Sequence, residues 1–154
     1  MILVDADACP VKREIVSVAT RRGVQAIFVA GTYLRLPEHP LIRFFAAGDA
    51  FDAADDAIAS VARPGTVTVT ADILLAERVL KAGGAALDPR GREFTEASIG
   101  DTVATRDLMA ELRPGMIGQT GGQASGPAPY GPRDRAAFKD ALDRVLTRIA
   151  RKGA

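Results

Sequence analysis

This chain of 154 residues has no tryptophan, two tyrosines and one cysteine. A lone thiol excludes an intramolecular disulfide, and with the single histidine it cannot build a usual zinc ligand set. Two tyrosines and six phenylalanines leave little aromatic surface for stacking a long run of bases. Net charge is nearly absent as well. Twenty Lys and Arg face 19 Asp and Glu, a formal +1, so no global basic field announces nucleic acid and any such contact needs a local patch. No apolar run approaches the roughly 18 residues that span a bilayer, and nothing at the start reads as a signal peptide, so the expected compartment is the cytoplasm, with no membrane partner. What remains is an ordinary globular balance, 47% hydrophobic and 25% charged, in a chain long enough for one domain with a substantial core.

The order of the apolar runs is more telling. Short runs near 1–5, 25–30, 42–46, 66–70 and 85–88 alternate with helical patterns, the signature of βαβ units and a mostly parallel sheet of about five strands. Pro10 suits a first helical turn, and Val11, Ile15, Val18 and Ala19 make an apolar stripe that ends at Gly23. A second helix reads over 51–62. Ala54, Ala57, Ile58 and Val61 share one of its faces, and Asp52, Asp55 and Asp56 the other. A third covers 73–82 and stops at Gly83-Gly84. After a turn at 89–92 comes a stretch to Ile99 that reads as extended, then a helix capped by Asp101 with Ala104, Leu108 and Leu112 aligned. Residues 114–132 are too rich in glycine and proline for a regular element and read as a loop within a single domain, 1–154. The last helix starts near Arg133 and carries the clearest stripe, Phe138, Leu142, Val145, Leu146 and Ile149, an apolar patch that would also serve a homodimer.

Aspartates stand where four of these runs end: Asp5 with Asp7, Asp49, Asp72 and Asp88. In an open α/β sheet, ligands bind just beyond the carboxyl ends of the strands. Carboxylates gathered there repel, and are relieved by a shared proton or a cation. The central expectation is therefore a divalent-cation site of Asp5, Asp7, Asp52, Asp55 and Asp72, with Asp5, Asp7 and Asp72 catalytic. Oxygen donors of this kind suit Mg2+ or Mn2+. Residues i and i+2 of an extended segment share a face, which would let Asp5 and Asp7 reach one ion. The plainer readings are that Asp7 and Asp72 cap the helices that follow them and that Asp88 opens a turn. Cys9 reads as a small packing residue, since its only possible imidazole partner, His39, lies in a Pro-rich loop. Arg106, Arg133 and Arg135 are the candidates to hold a substrate phosphate.

The motifs VDADACPVK, FDAADDAI, VTADILLA, DPRGREFT, LMAELR and GPAPYGPRDRAAF, in that order, resemble those of the bacterial YaiI/YqxD family of uncharacterised proteins, over nearly the whole chain. That family's sequences in turn look like relatives of PIN-type nucleases. The resemblance implies a PIN-like three-layer sandwich with acids at the carboxyl edge of the sheet, and metal-dependent cleavage of RNA. Under it Asp5 matches the first acidic position, Asp72 the later one that opens a helix, and Asp52 or Asp55 an acid from the intervening helix. Two departures stand out: an aspartate at Asp88 where the family pattern has asparagine, and Gly131 where a Ser or Thr would cap the last helix, implying a looser helix start. The reading is a divalent-metal-dependent phosphodiesterase or ribonuclease. One alternative is a phosphatase of the haloacid dehalogenase type, with Asp5 as nucleophile and Asp7 as acid/base. Another is a non-catalytic module that binds RNA or a protein partner.

Overall fold

Five strands occupy the five apolar runs among the residues described by a computed structural model, which are 1–7, 9–100 and 129–153. They are β1 (Ile2–Asp5), β2 (Ala26–Ala30), β3 (Ile42–Ala46), β4 (Val67–Val69) and β5 (Ala85–Leu87). All neighbours pair in parallel, in the order β3-β2-β1-β4-β5. The helices α1 (Lys12–Arg22), α2 (Ala53–Val61), α3 (Ile73–Lys81) and α4 (Pro132–Gly153) accompany them.

A parallel sheet covered on both faces must be apolar on both, and the central strands obey this. Ile2 and Val4 of β1, Phe28 of β2 and Val67 and Val69 of β4 face a core shared with α1 and α4. Leu3 of β1, Val29 of β2 and Ala86 of β5 face the opposite core, built with Ile58 of α2 and Leu75, Ala76 and Val79 of α3. The result is a three-layer α/β sandwich. Because successive side chains alternate between these cores, Asp5 lies on the α2 and α3 side, two positions beyond Leu3.

Several local readings change. Helix α1 begins at Lys12, with Val11 in the capping position and no side chain capping it, so Pro10 and Asp7 lie outside it. At its far end Gly23 takes a left-handed conformation (φ 68°), and its N–H donates to the Ala19 and Thr20 carbonyls. The stretch read as extended to Ile99 is so only around Glu93, which bridges Leu87; residues 96–100 are helical. The helix expected from Asp101, Arg106 and most of the 114–132 loop lie outside the described residues.

The last helix starts firmly despite lacking a hydroxyl cap. Asp134 accepts from the Gly131 N–H at 2.8 Å while the Gly131 carbonyl accepts from Asp134 at 3.0 Å, and Pro132 occupies the first helical position. That is the N3-to-cap half of a capping box, which needs no side chain at residue 131. The stripe on α4 is used inside the molecule. Phe138, Ala141, Leu142, Val145 and Leu146 are buried, and the helix packs on α1 and β5, so this face is not an exposed dimer patch.

Candidate functional site

The strand order fixes where a crevice opens. The chain runs outward from β1 through β2 to β3, then crosses back to place β4 on the other side of β1. The connections leave β1 and β4 in opposite directions, and beyond their carboxyl ends lies the switch point where doubly wound sheets bind ligands. Asp5 closes β1 and Thr70 follows β4 directly, so both stand at this switch point.

They are bonded to each other. The Thr70 hydroxyl donates to Asp5 Oδ2 at 2.8 Å and accepts from the Asp72 N–H at 3.0 Å. The incoming N–H commits the hydroxyl proton to Asp5, so a buried threonine sets the orientation of that carboxylate. Burial pushes the Asp5 carboxyl above its ordinary range; the Thr70 bond opposes this, and the charges of Asp7 and Asp72 add to it.

Asp72 caps α3, accepting from Leu74 N–H at 2.9 Å and Leu75 N–H at 3.4 Å. It is nevertheless close enough for its charge to act on both Asp5 and Asp55. Asp55, in the first turn of α2, is raised from an ordinary 3.8 to about 6, first by burial and then by the charges of Asp5, Asp72 and Asp52, with Arg78 opposing. Three chain segments thus bring carboxylates within electrostatic reach of one another. Asp56 is turned away and pairs with Arg78 of α3 at 2.9 Å. The acids of this segment that line the cleft are Asp52, just before α2, and Asp55.

A cleft of about 230 Å3 is lined by Asp5, Asp7, Asp49, Phe51, Asp52 and Asp55, among others. Asp7 reaches it differently from the sequence expectation. The strand ends at Asp5, and Asp7 lies in the following turn, where Gly31 N–H at the end of β2 donates to its two oxygens at 3.1 and 3.2 Å. Asp7 does not cap α1. Among the described residues no three Asp, Glu, His or Cys side chains are grouped as they stand to hold a metal ion.

The remaining candidates sit elsewhere. Arg135 and Arg90 each lie over the Tyr130 ring, at 5.8 and 5.7 Å, and Arg90 pairs with Asp134 at 3.3 Å. Arg133 is exposed at the start of α4. Neither Arg133 nor Arg135 lines the acidic cleft, because α4 covers the opposite face of the sheet. Asp88 accepts from the Arg90 and Arg92 N–H groups, both at 2.9 Å, bonds that an asparagine oxygen would accept equally. Cys9 is buried, and burial pushes its thiol up, away from the reactive thiolate.

Residues 3–148 match a family profile described as the uncharacterised YaiI/YqxD family. The chain belongs to this family. It is 53% identical to a UPF0178 protein of Sphingopyxis alaskensis (98% of this chain, 96% of the relative). It is 52% identical to UPF0178 protein RPA2191 of Rhodopseudomonas palustris strain CGA009 (99% and 94%). A UPF0178 protein of Jannaschia sp. strain CCS1 is 53% identical (97% and 94%). No solved structure matches the chain. No helix among the described residues is long and apolar enough to cross a membrane.

Two residues escaped the sequence reading of this family member. Thr70 is one, although its place between a strand end and Asp72 was a usable signal. Gly31 is the other: a Cβ there would meet the Gly48 carbonyl oxygen at 3.0 Å, so the loop carrying the cleft's outer wall rests against it.

Proposed function

We propose that the cleft hydrolyses phosphodiester bonds of RNA with the help of Mg2+ or Mn2+. One observation carries this reading: Asp5 and Asp55, from separate segments, stand at the crevice where the sheet order reverses, each pushed up first by burial and then by the charges of neighbouring carboxylates. Such mutual repulsion costs stability, and a cation offsets it. The likeness of the YaiI/YqxD family's sequences to PIN-type nucleases points the same way.

The donor chemistry fits. Every candidate ligand is a carboxylate oxygen, and hard cations such as Mg2+ take only one or two carboxylates, completing their shell with waters and substrate oxygens. Asp5 and Asp55 would hold the ion, with Asp52, Asp7 and Asp72 supplying further negative charge. When bound, the cation supplies a water of lowered pKa and offsets charge on the phosphate oxygens. Thr70 keeps Asp5 in one orientation, so that carboxylate needs no reorganisation. Asp55, ionising near 6, holds a proton below that pH and gives it up when a cation arrives. Cation affinity therefore falls with pH below about 6.

Calorimetric titration with manganese, alongside hydrolysis of a labelled RNA, tests this. Asp5→Asn is expected to lose at least about tenfold in both, corresponding to about 1.4 kcal/mol. Hydrolysis at the wild-type rate in purified Asp5→Asn would reject the proposal.

A further inference from the structure

Phe51 is 94% exposed, more than Tyr33 at 80% or Leu74 at 61%, and it lines the acidic cleft. An aromatic ring gains nothing from solvent, so its placement calls for a reason. The backbone holds it there. The Ala53 N–H donates to the Ala50 carbonyl at 3.1 Å, closing a turn with Phe51 and Asp52 as its central residues. Asp52 has φ 61°, the one non-glycine residue in the left-handed region among the described residues. A positive φ at the third position is what a type II turn demands, and it puts Phe51 at the corner.

From this we infer that Phe51 is a stacking platform for one unpaired base of the substrate strand, next to the phosphate that enters the cleft. This rests on the hydrolase reading above and adds the substrate class: single-stranded RNA. The chemistry favours it. A cleft walled by carboxylates repels the phosphate backbone, so an uncharged contact must help hold the strand, and every base offers a π-face. At about 230 Å3 the cleft has room for a phosphate with its sugar. A paired base would keep its faces against its neighbours in the stack, leaving none for Phe51.

The test is fluorescence anisotropy of the full-length protein with magnesium and a short phosphorothioate oligoadenylate, which resists hydrolysis with that ion. The same strand paired to its complement and a strand of abasic ribose serve for comparison. Phe51→Ala should weaken oligoadenylate binding by about tenfold to a hundredfold. Phe51→Tyr should keep it, Phe51→Leu should lose most of it, and duplex should bind worse than single strand. Thermal melting confirms that each variant is folded. The inference is overturned if Phe51→Ala binds like wild type, if it weakens the abasic strand equally, or if wild type binds no strand. Failure here is separable from failure of the hydrolase reading. Manganese-dependent cutting lost in Asp5→Asn, with normal binding by Phe51→Ala, rejects only the platform. Phe51-dependent binding in a protein that cuts no RNA rejects only the hydrolase.

Discussion

Replacing Asp55 by asparagine removes the charge that its neighbours most oppose. In the folded chain this carboxyl ionises near 6 instead of the ordinary 3.8. Below 3.8 it is protonated folded or unfolded and carries no penalty. As pH rises from 3.8 to about 6 the unfolded chain ionises first, so stability falls across that window, and above it the whole penalty is present. At about 1.36 kcal/mol per pH unit the upper bound is about 3 kcal/mol. Asp55 is only partly buried and solvent screens its neighbours, which brings the expected effect to about 1 kcal/mol. For a chain of this size that is roughly 2–4 °C in Tm. The assay is thermal melting of wild type and Asp55→Asn from pH 4 to pH 7. The two curves should separate with rising pH, wild type losing ground. The roughly 0.3–1 kcal/mol by which a helix start favours an ionised acid titrates with the same carboxyl and opposes the penalty across the same pH window. Manganese at pH 7 should restore wild type more than the variant. Parallel curves, or a wild type that gains on the variant as pH rises, would refute the reasoning.

Thr70→Val removes the donor to Asp5 and the acceptor for the Asp72 N–H, and is expected to cost about 2 kcal/mol in chemical denaturation, with Thr70→Ser close to wild type. In the valine variant the Asp5 carboxyl should titrate higher still by carbon-13 NMR; an unmoved titration would mean the hydroxyl does not hold that carboxylate. Asp72→Ala should lose about 1 kcal/mol with its helix cap, while Asp72→Asn keeps the cap and the melting temperature. Asp72→Asn should nevertheless bind manganese more weakly in calorimetry, and wild-type affinity there would reduce Asp72 to a cap.

Much of the fold was legible because its periodicities are local. The runs at Ile2–Asp5 and Ala26–Ala30 are apolar on both faces, as only strands buried on two sides need to be, and each observed strand falls within the run that foretold it. Boundaries slipped where a decision was tertiary. Pro10 is compatible with a first helical turn, yet α1 waits until Lys12. Gly131 reads as a weak start because the sequence names the residue that caps and not the one three positions later that caps in return. The α4 stripe looked available to a second copy because periodicity reports amphipathicity and is silent on what covers it.

The sequence named most of the acids that line or adjoin the cleft, but not how they are arranged. Spacing could place Asp5 and Asp72 at strand ends, but only the strand order makes β1 and β4 neighbours across the switch point. The pairing of i with i+2 failed for Asp7 because that rule holds only while the chain stays extended, and β1 ends at Asp5. Choosing among Asp52, Asp55 and Asp56 required knowing where α3 lies, since Arg78 draws Asp56 away. Thr70 shows the deeper limit. A hydroxyl matters here because of what it joins, a carboxylate 65 positions earlier and a backbone N–H two positions later, and no local pattern encodes that junction. Capping also does not remove Asp72 from the acidic cluster: one oxygen serves the α3 N–H groups while the charge still reaches Asp5 and Asp55, so a residue explained by local structure can still act on its neighbours.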